Sequence, residues 1–202
     1  MRPALTLGSG IVIGAVALGV ARLLALPPAH AIHYHANFAV FVNGQRLALT
    51  ASRFMEDISK CKADPMQQDP VDRVHLHSGD HDVVHVHAAA TSWANLFTNL
   101  QMALGNEWMV LPTGEALRPM AGKNLRFVLN GVLVDGIANR AIRSRDRLLV
   151  SYGAEMPEAL VTTQFAAVKE NAAEFNERPD PSTCSGPHVP TLGERLRQAF
   201  WF

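Results

Sequence analysis

Histidine is concentrated in two short regions of this chain. Five of the nine histidines lie between His75 and His87, and two more are His33 and His35. The spacing His-x-His occurs three times in these regions. Successive side chains of a β-strand point to opposite faces, so residues two apart share a face. Each His-x-His pair is therefore predicted to project from one side of a strand.

Alternating apolar residues over Arg73–His77 and Val83–Ala88 predict two strands that form a hairpin with a histidine face. Opposed residues of an antiparallel pair point to the same side, so valines and leucine that share the core face put the histidines on the other face. A strand near Tyr34 would add His33 and His35 to this face if it joined the same sheet with its apolar residues on the same core face. Six histidines are then expected to converge: His33, His35, His75, His77, His85 and His87.

Six neutral imidazoles on one face are typical of a transition-metal site. Imidazole nitrogen binds zinc, copper and nickel, and the predicted ligand set contains no thiolate. We therefore predict copper or zinc as the cofactor, held by a metal chaperone, a sensor or a metalloenzyme. Asp80 and Asp82 are predicted as ligands or as acceptors that fix the imidazole tautomers. His30, His81 and His188 lie outside the strands and are left out of the ligand set.

Two other functions suit a histidine face. Clustered imidazoles gain charge together between about pH 5 and 7, so the face could sense pH. It could also be a layer that packs against a partner. Nucleic acid is not predicted as a partner, because the formal net charge is zero and a basic footprint is missing. The chain has no G-x-S-x-G, Walker A or G-x-G-x-x-G motif.

The N-terminal segment, residues 1–31, is predicted to be a membrane anchor or a signal peptide. Residues 3–21 carry no charge, and Leu5–Leu26 has about the length of a membrane-spanning helix. Ala29-His30-Ala31 fits a cleavage site. Both interpretations place the following domain on the periplasmic or extracellular side of the inner, cytoplasmic membrane. The residues assigned to the anchor include Leu5, Ile11, Val16 and Leu24.

Export would put the two cysteines, Cys61 and Cys184, in an oxidising compartment, where an even pair favours a disulfide. Such a bond would close a long loop and stabilise the fold by up to about 4–5 kcal/mol in the chain-entropy treatment. Two unpaired thiols are the alternative.

Turn and strand signals predict an α+β domain over residues 32–153, with a mixed sheet. Asn43-Gly44 and Asn130-Gly131 each predict a hairpin. A helix capped by Thr91 or Ser92 is expected to run to Leu104 and to cover part of the sheet.

The C-terminal segment, residues 154–202, is predicted to hold a helix and a tail. Pro157 would open a helix that runs to about Glu174. The chain ends in an amphipathic helix whose last residues suit a membrane interface or a partner protein. A rival function is therefore an accessory subunit that docks in a larger membrane protein complex through its N-terminal helix and its aromatic tail. Packing of the tail on its own domain is the alternative. The aromatic residues in question are Phe200, Trp201 and Phe202.

Four segments follow one another in the chain: HYHANFAVFVNG, VHLHSGDHDVVHVHAAATSWANLF, LRFVLNG and DRLLVSYG. This order resembles a family of small, membrane-anchored, histidine-rich exported proteins of archaea and bacteria. The resemblance covers about residues 32–153 and supplies no activity. Val83–Gly153 is also similar to a β-grasp layout, and Asp146-Arg147 resembles the ending of ubiquitin-like sulfur carriers. Ala154 stands where those carriers have a second glycine, so only their fold is implied.

Overall fold

The computed structural model describes residues 3–25, 32–57, 59, 69–77, 79–178 and 192–200, with the side chains of the first helix described from residue 14 onward. The chain divides into two units. One consists of residues 1–31 and 188–202, and the other of residues 32–187.

The second unit is built on a mixed sheet. In chain order the strands are β1 (Tyr34–Val42), β2 (Gln45–Arg46), β3 (Val74–His77), β4 (Asp80–Val86), β5 (Ala103–Leu104), β6 (Met109–Val110), β7 (Ala116–Leu117), β8 (Asn124–Leu129), β9 (Val132–Val134) and β10 (Arg147–Gly153). The main sheet has the order β3-β4-β1-β10-β8-β9, with β2 paired to β1, and β5, β6 and β7 form a small separate sheet. Because β1 runs parallel to β10 and antiparallel to β4, the predicted mixed sheet is confirmed.

Helices are short in the second unit. The helices of the chain are α1 (Pro3–Ala25), α2 (Pro70–Arg73), α3 (Trp93–Asn99), α4 (Pro157–Ala159), α5 (Ala172–Asn176) and α6 (Leu192–Phe200), with a 3₁₀ turn at Ser52–Phe54 and a π-helical turn at Leu160–Phe165. α3 begins at the predicted cap, where Ser92 Oγ accepts the Asn95 N–H at 3.3 Å. It ends before the predicted Leu104, because Gln101 takes a left-handed φ of 59° and Met102 N donates to Phe97 O.

Both predicted Asn-Gly turns are present. Asn43 and Gly44 have φ values of 51° and 77°, and Asn130 and Gly131 have 53° and 84°. Two consecutive positive φ values match the right-handed twist of the flanking strands, which is why Asn-Gly is favoured there. The strand after Gly44, expected from the sequence over Gln45–Thr50, covers only Gln45–Arg46, because the chain soon turns inward to bury Leu49 in the core.

The predicted helix from Pro157 to about Glu174 is interrupted. Arg147 Nη2 donates to Val168 O at 2.6 Å, and Lys169 Nζ lies 2.6 Å from Asp82 Oδ2. The Val168 carbonyl and the Lys169 side chain, in the middle of the predicted helix, thus contact the sheet. The segment therefore divides into α4, the π-helical turn and α5.

Each face of the main sheet packs against other elements. One face, with α3, holds the larger core, in which Phe38, Val84, Trp93, Phe97 and Leu148 are buried. The opposite face carries a smaller cluster that includes Phe41, Leu149, Leu160, Phe165 and Val168. The C-terminal segment from α4 to α5 thus covers the second face.

The first unit contains α1 and α6. The Phe200 ring lies so close to Gly19 that a Cβ there would collide with it, while 41% of Phe200 stays exposed. No helix among the described residues is both long enough and apolar enough to cross a membrane, so the predicted transmembrane helix is not supported. Cys61, Cys184, Trp201 and Phe202 lie outside the described residues, and the disulfide stays a prediction.

Asn37 joins β1 to the segment that covers the second face. Its Nδ2 donates to Asp82 O at 3.0 Å and to Asn171 Oδ1 at 2.8 Å, and its Oδ1 accepts from Ala172 N at 2.9 Å. The residue is 1% exposed, so these bonds have no competition from water.

We expect Asn37→Ala to lower the free energy of unfolding by about 2–3 kcal/mol, because buried amide groups lose their partners. Urea denaturation monitored by circular dichroism measures this change. Asn106→Ala, at an exposed loop position, is the matched control and should leave stability unchanged. Equal midpoints for the two variants would contradict the role assigned to Asn37.

Candidate metal centre

Three neighbouring strands bring the six predicted histidines together. His35 lies opposite His85 where β1 pairs with β4, and His75 lies opposite His85 where β3 pairs with β4. The rings of His35 and His85 have centroids 4.4 Å apart, and those of His33 and His87 stack at 4.9 Å. The shared face expected from the alternation is therefore observed, and the condition that β1 join the sheet is met.

The hairpin between β3 and β4 is less regular than predicted. Its register shifts between His75 and His77, so that His77 pairs with Asp80. β4 therefore begins at Asp80 and includes His81, so the expectation that His81 lies outside the strands is wrong, and Gly79 takes a φ of 77° in the turn. Such an irregularity re-aims a side chain relative to its neighbours, and the ring of His77 nevertheless stays 5.6 Å from that of His85.

Three of the histidines can hold a metal ion. His33, His85 and His87 each offer a ring nitrogen, and these nitrogens all lie within 4.8 Å of one another. His85 is 2% exposed, and the other two rings are partly exposed. Imidazole is a common ligand of zinc and copper.

A chain of hydrogen bonds sets the tautomer of His85. Asn176 Oδ1 accepts both the His35 backbone N–H at 2.8 Å and His35 Nδ1 at 2.9 Å, which identifies that atom as oxygen. The neutral His35 ring therefore carries its proton on Nδ1, and its Nε2 accepts from His85 Nδ1 at 3.1 Å. This leaves the lone pair of His85 on Nε2, the state that a metal ligand requires.

A buried glutamate that sequence reasoning missed lies beside the histidines. Glu56 Oε2 is 3.4 Å from His75 Nε2 and 3.7 Å from His77 Nε2, and its side chain is fully buried. The backbone places it there, because Met55 bridges to Leu76 and Glu56 N donates to Leu76 O at 2.9 Å. No spacing in the sequence links Glu56 to the histidines, since the contact joins a loop to a strand far along the chain.

The two predicted aspartates have other partners. The Asp82 carboxylate forms ion pairs with Arg46 and Lys169, and His81 Nε2 lies 3.6 Å from it. The hydrogen bond to Asp82 raises the pKa of Lys169. Asp80 Oδ1 accepts the Asp82 backbone N–H at 2.9 Å. The contacts seen for these carboxylates therefore stabilise the start of β4.

Burial keeps three of the imidazoles neutral. It is the main cause that lowers the pKa of His85 to about 2 and that of His87 to about 3, and neighbouring imidazoles add to both shifts. Burial also lowers the pKa of His75 to about 4, although the bond from its Nδ1 to Val71 O, 2.8 Å long, opposes this. Neutral imidazoles have a free lone pair at neutral pH, so a metal does not have to displace a proton.

These lowered pKa values predict acid sensitivity of the metal-free protein. Between about pH 6.5 and the lower folded-state values, the unfolded chain binds more protons than the folded chain, so stability falls as pH falls. From pH 7 to pH 5, each of His75 and His85 should remove about 2 kcal/mol. Urea denaturation across this range measures the loss. His85→Asn should reduce the slope and His81→Ala should retain it, whereas pH-independent stability of the unmutated protein would contradict the prediction.

The hydrogen-bond geometry also predicts tautomers. His35, His75 and His85 should each carry the proton on Nδ1 at neutral pH in the metal-free chain. Nitrogen-15 chemical shifts of the ring atoms in a protein labelled on histidine measure this. Asn176→Ala removes the acceptor of His35 and should disturb the tautomers of His35 and His85 but not that of His75. A dominant Nε2–H form of His85 in the unmutated protein would contradict the proposed chain of bonds.

No protein family, curated protein or solved structure matches the chain. The resemblance to histidine-rich exported proteins and to the β-grasp layout therefore stays a prediction from the residues alone.

Proposed function

We propose that this protein binds a zinc or copper ion through His33, His85 and His87. The observation that supports this best is the convergence of their ring nitrogens within 4.8 Å of one another. Two nitrogens bound to one tetrahedral zinc ion stand about 3.4 Å apart, so small rotations of the rings suffice to close the site. Three protein ligands leave a fourth position for water or another molecule.

The donor set limits the choice of ion. Three imidazoles without a thiolate suit zinc and copper(II), and they suit calcium and magnesium poorly, because those ions prefer oxygen ligands. Copper(II) binds a given nitrogen site more tightly than zinc, so the ion carried in the cell depends on which metal is supplied.

Location and biological role are part of the proposal and rest on the sequence. The uncharged run at residues 3–21 supports export to the outer side of the cytoplasmic membrane. There the protein would serve as a metal chaperone, a sensor or a metalloenzyme. The rival proposal, a subunit that docks in a larger membrane complex, rests on the aromatic end of the chain and uses the histidine face as a packing layer.

Metal content of the purified full-length chain tests the proposal. We expect stoichiometric zinc or copper by elemental analysis, and a loss of this metal in His85→Ala/His87→Ala, because two of the three ligands are removed. His81→Ala is the matched control, since its imidazole lies outside the convergence and beside Asp82. It should retain the metal.

The unmutated protein could instead lack metal even after reconstitution with zinc and copper. This outcome would exclude metal binding and leave the histidine face as a packing layer or a pH-responsive surface. Co-purification of the detergent-solubilised chain with other membrane proteins would then favour the rival proposal.

A further inference from the structure

The segment Arg140–Arg147, which leads from β9 into β10, concentrates positive charge. Four of the 18 lysines and arginines of the chain lie in it, although the formal net charge of the whole chain is zero. These four are Arg140, Arg143, Arg145 and Arg147, and the one acidic residue among them is Asp146. A surface with this composition attracts anions.

The arginines differ in their partners. Arg147 Nη1 donates to Glu170 Oε2 at 2.8 Å, so its charge is matched. Arg140, Arg143 and Arg145 are exposed, and in the described part of the chain none of the three forms an ion pair with a carboxylate. Arg140 Nε donates to Gly136 O at 2.9 Å, which orients this guanidinium but does not neutralise it. Three permanent positive charges therefore face solvent.

Buried residues hold the backbone of this segment in place. Ile142 is 2% exposed, and its backbone N–H donates to Thr91 O at 2.9 Å. The Asp146 carboxylate accepts from Asn130 Nδ2 through one oxygen and from the Arg143 backbone N–H through the other, both at 2.9 Å. The points from which the arginine side chains project are thus fixed before a ligand arrives, which lowers the entropic cost of binding.

A surface cavity of about 280 Å³ lies beside the segment. At about 30 Å³ for each water molecule, it has room for a small oxyanion together with several waters. Two of the three unpaired guanidiniums line it. The lining residues are Leu129, Asn130, Arg140, Ala141, Arg143 and Asp146.

The charges around the cavity favour an anion even though a carboxylate is among the lining groups. Both oxygens of Asp146 accept hydrogen bonds from the protein. Arg145 follows Arg143 by two residues, so their Cα atoms are at most about 7 Å apart, within the screening length of about 8 Å at physiological ionic strength. The three exposed guanidiniums and the one carboxylate together leave two positive charges at this place.

We propose that this cavity binds a phosphate group, which Arg140 and Arg143 clamp while Arg145 adds to the attraction. The planar guanidinium presents paired N–H donors that match two oxygens of one phosphate, and two such groups match its double negative charge. The phosphate can belong to inorganic phosphate or to a phospholipid headgroup. The site uses none of the histidines, so it does not depend on the proposed metal binding.

Calorimetric titration of the full-length chain with inorganic phosphate tests the proposal. Metal is first removed with a chelator, and the chelator by desalting, so that phosphate cannot bind at an ion. We expect one saturable equivalent at physiological ionic strength. Arg140→Gln/Arg143→Gln should bind at least about tenfold more weakly, because two charge-assisted contacts are lost. Arg53→Gln/Arg118→Gln removes the same charge from exposed positions elsewhere, and this matched control should bind as the unmutated chain does.

Sedimentation with vesicles identifies the source of the phosphate. Phosphatidylcholine vesicles with and without phosphatidic acid are compared for the same three chains. Retention that phosphatidic acid adds, and that the Arg140→Gln/Arg143→Gln chain loses, would assign the site to a headgroup. Equal retention of the three chains, together with phosphate binding that needs both arginines, would assign it to soluble phosphate.

Two results of the titration would overturn the proposal. One is the absence of saturable phosphate binding by the unmutated chain. The other is equal binding by the two double variants, which would reduce the effect to the overall charge. Urea denaturation of both variants shows that each is folded, as expected for substitutions of exposed side chains.

Discussion

Each neutral imidazole has one ring nitrogen that donates a hydrogen bond and one that accepts, and burial requires both to be satisfied. On the histidine face, two rings direct their donors away from the cluster, to Val71 O and Asn176 Oδ1. Their accepting nitrogens therefore point inward, where His35 finds the N–H of His85 and His75 faces a carboxylate. Inward-facing ring nitrogens are the atoms that a metal ion would use, and those of His33, His85 and His87 lie within 4.8 Å of one another.

The sheet topology makes this arrangement possible. The parallel pairing of β1 with β10 places β1 inside the sheet, so His35 is held between neighbouring strands and is 1% exposed. α5 then covers the same face, with Phe175 against the ring of His35 at 5.7 Å. β10 and α5 carry none of the predicted ligands, yet both remove water from the imidazoles and lower their pKa values.

Two buried carboxylates near the histidine face illustrate how partners decide a role. Asp82 is matched by Arg46 and Lys169, whose permanent charges compensate for its burial. Glu56 Oε2 lies 3.4 Å from His75 Nε2 and 3.7 Å from His77 Nε2. Asp80 and Asp82, which were predicted for the site from their spacing alone, have other partners. The carboxylate that reaches the histidines is that of Glu56, in a separate loop.

Local patterns in the sequence determined much of the framework. The period of two in His-x-His, with valine and leucine between, was enough to put the rings opposite the larger core, because a slip of one residue would exchange the faces of the imidazoles and the valines. The Asn-Gly turns and the Ser92 cap likewise depend only on residues that are close in the chain. Only the tertiary structure decided the contact of Glu56 with His75, the register shift before His77 and the interruption near Val168. Each of these features depends on contacts between residues that are distant in the chain, and such residues meet only after the sheet has formed.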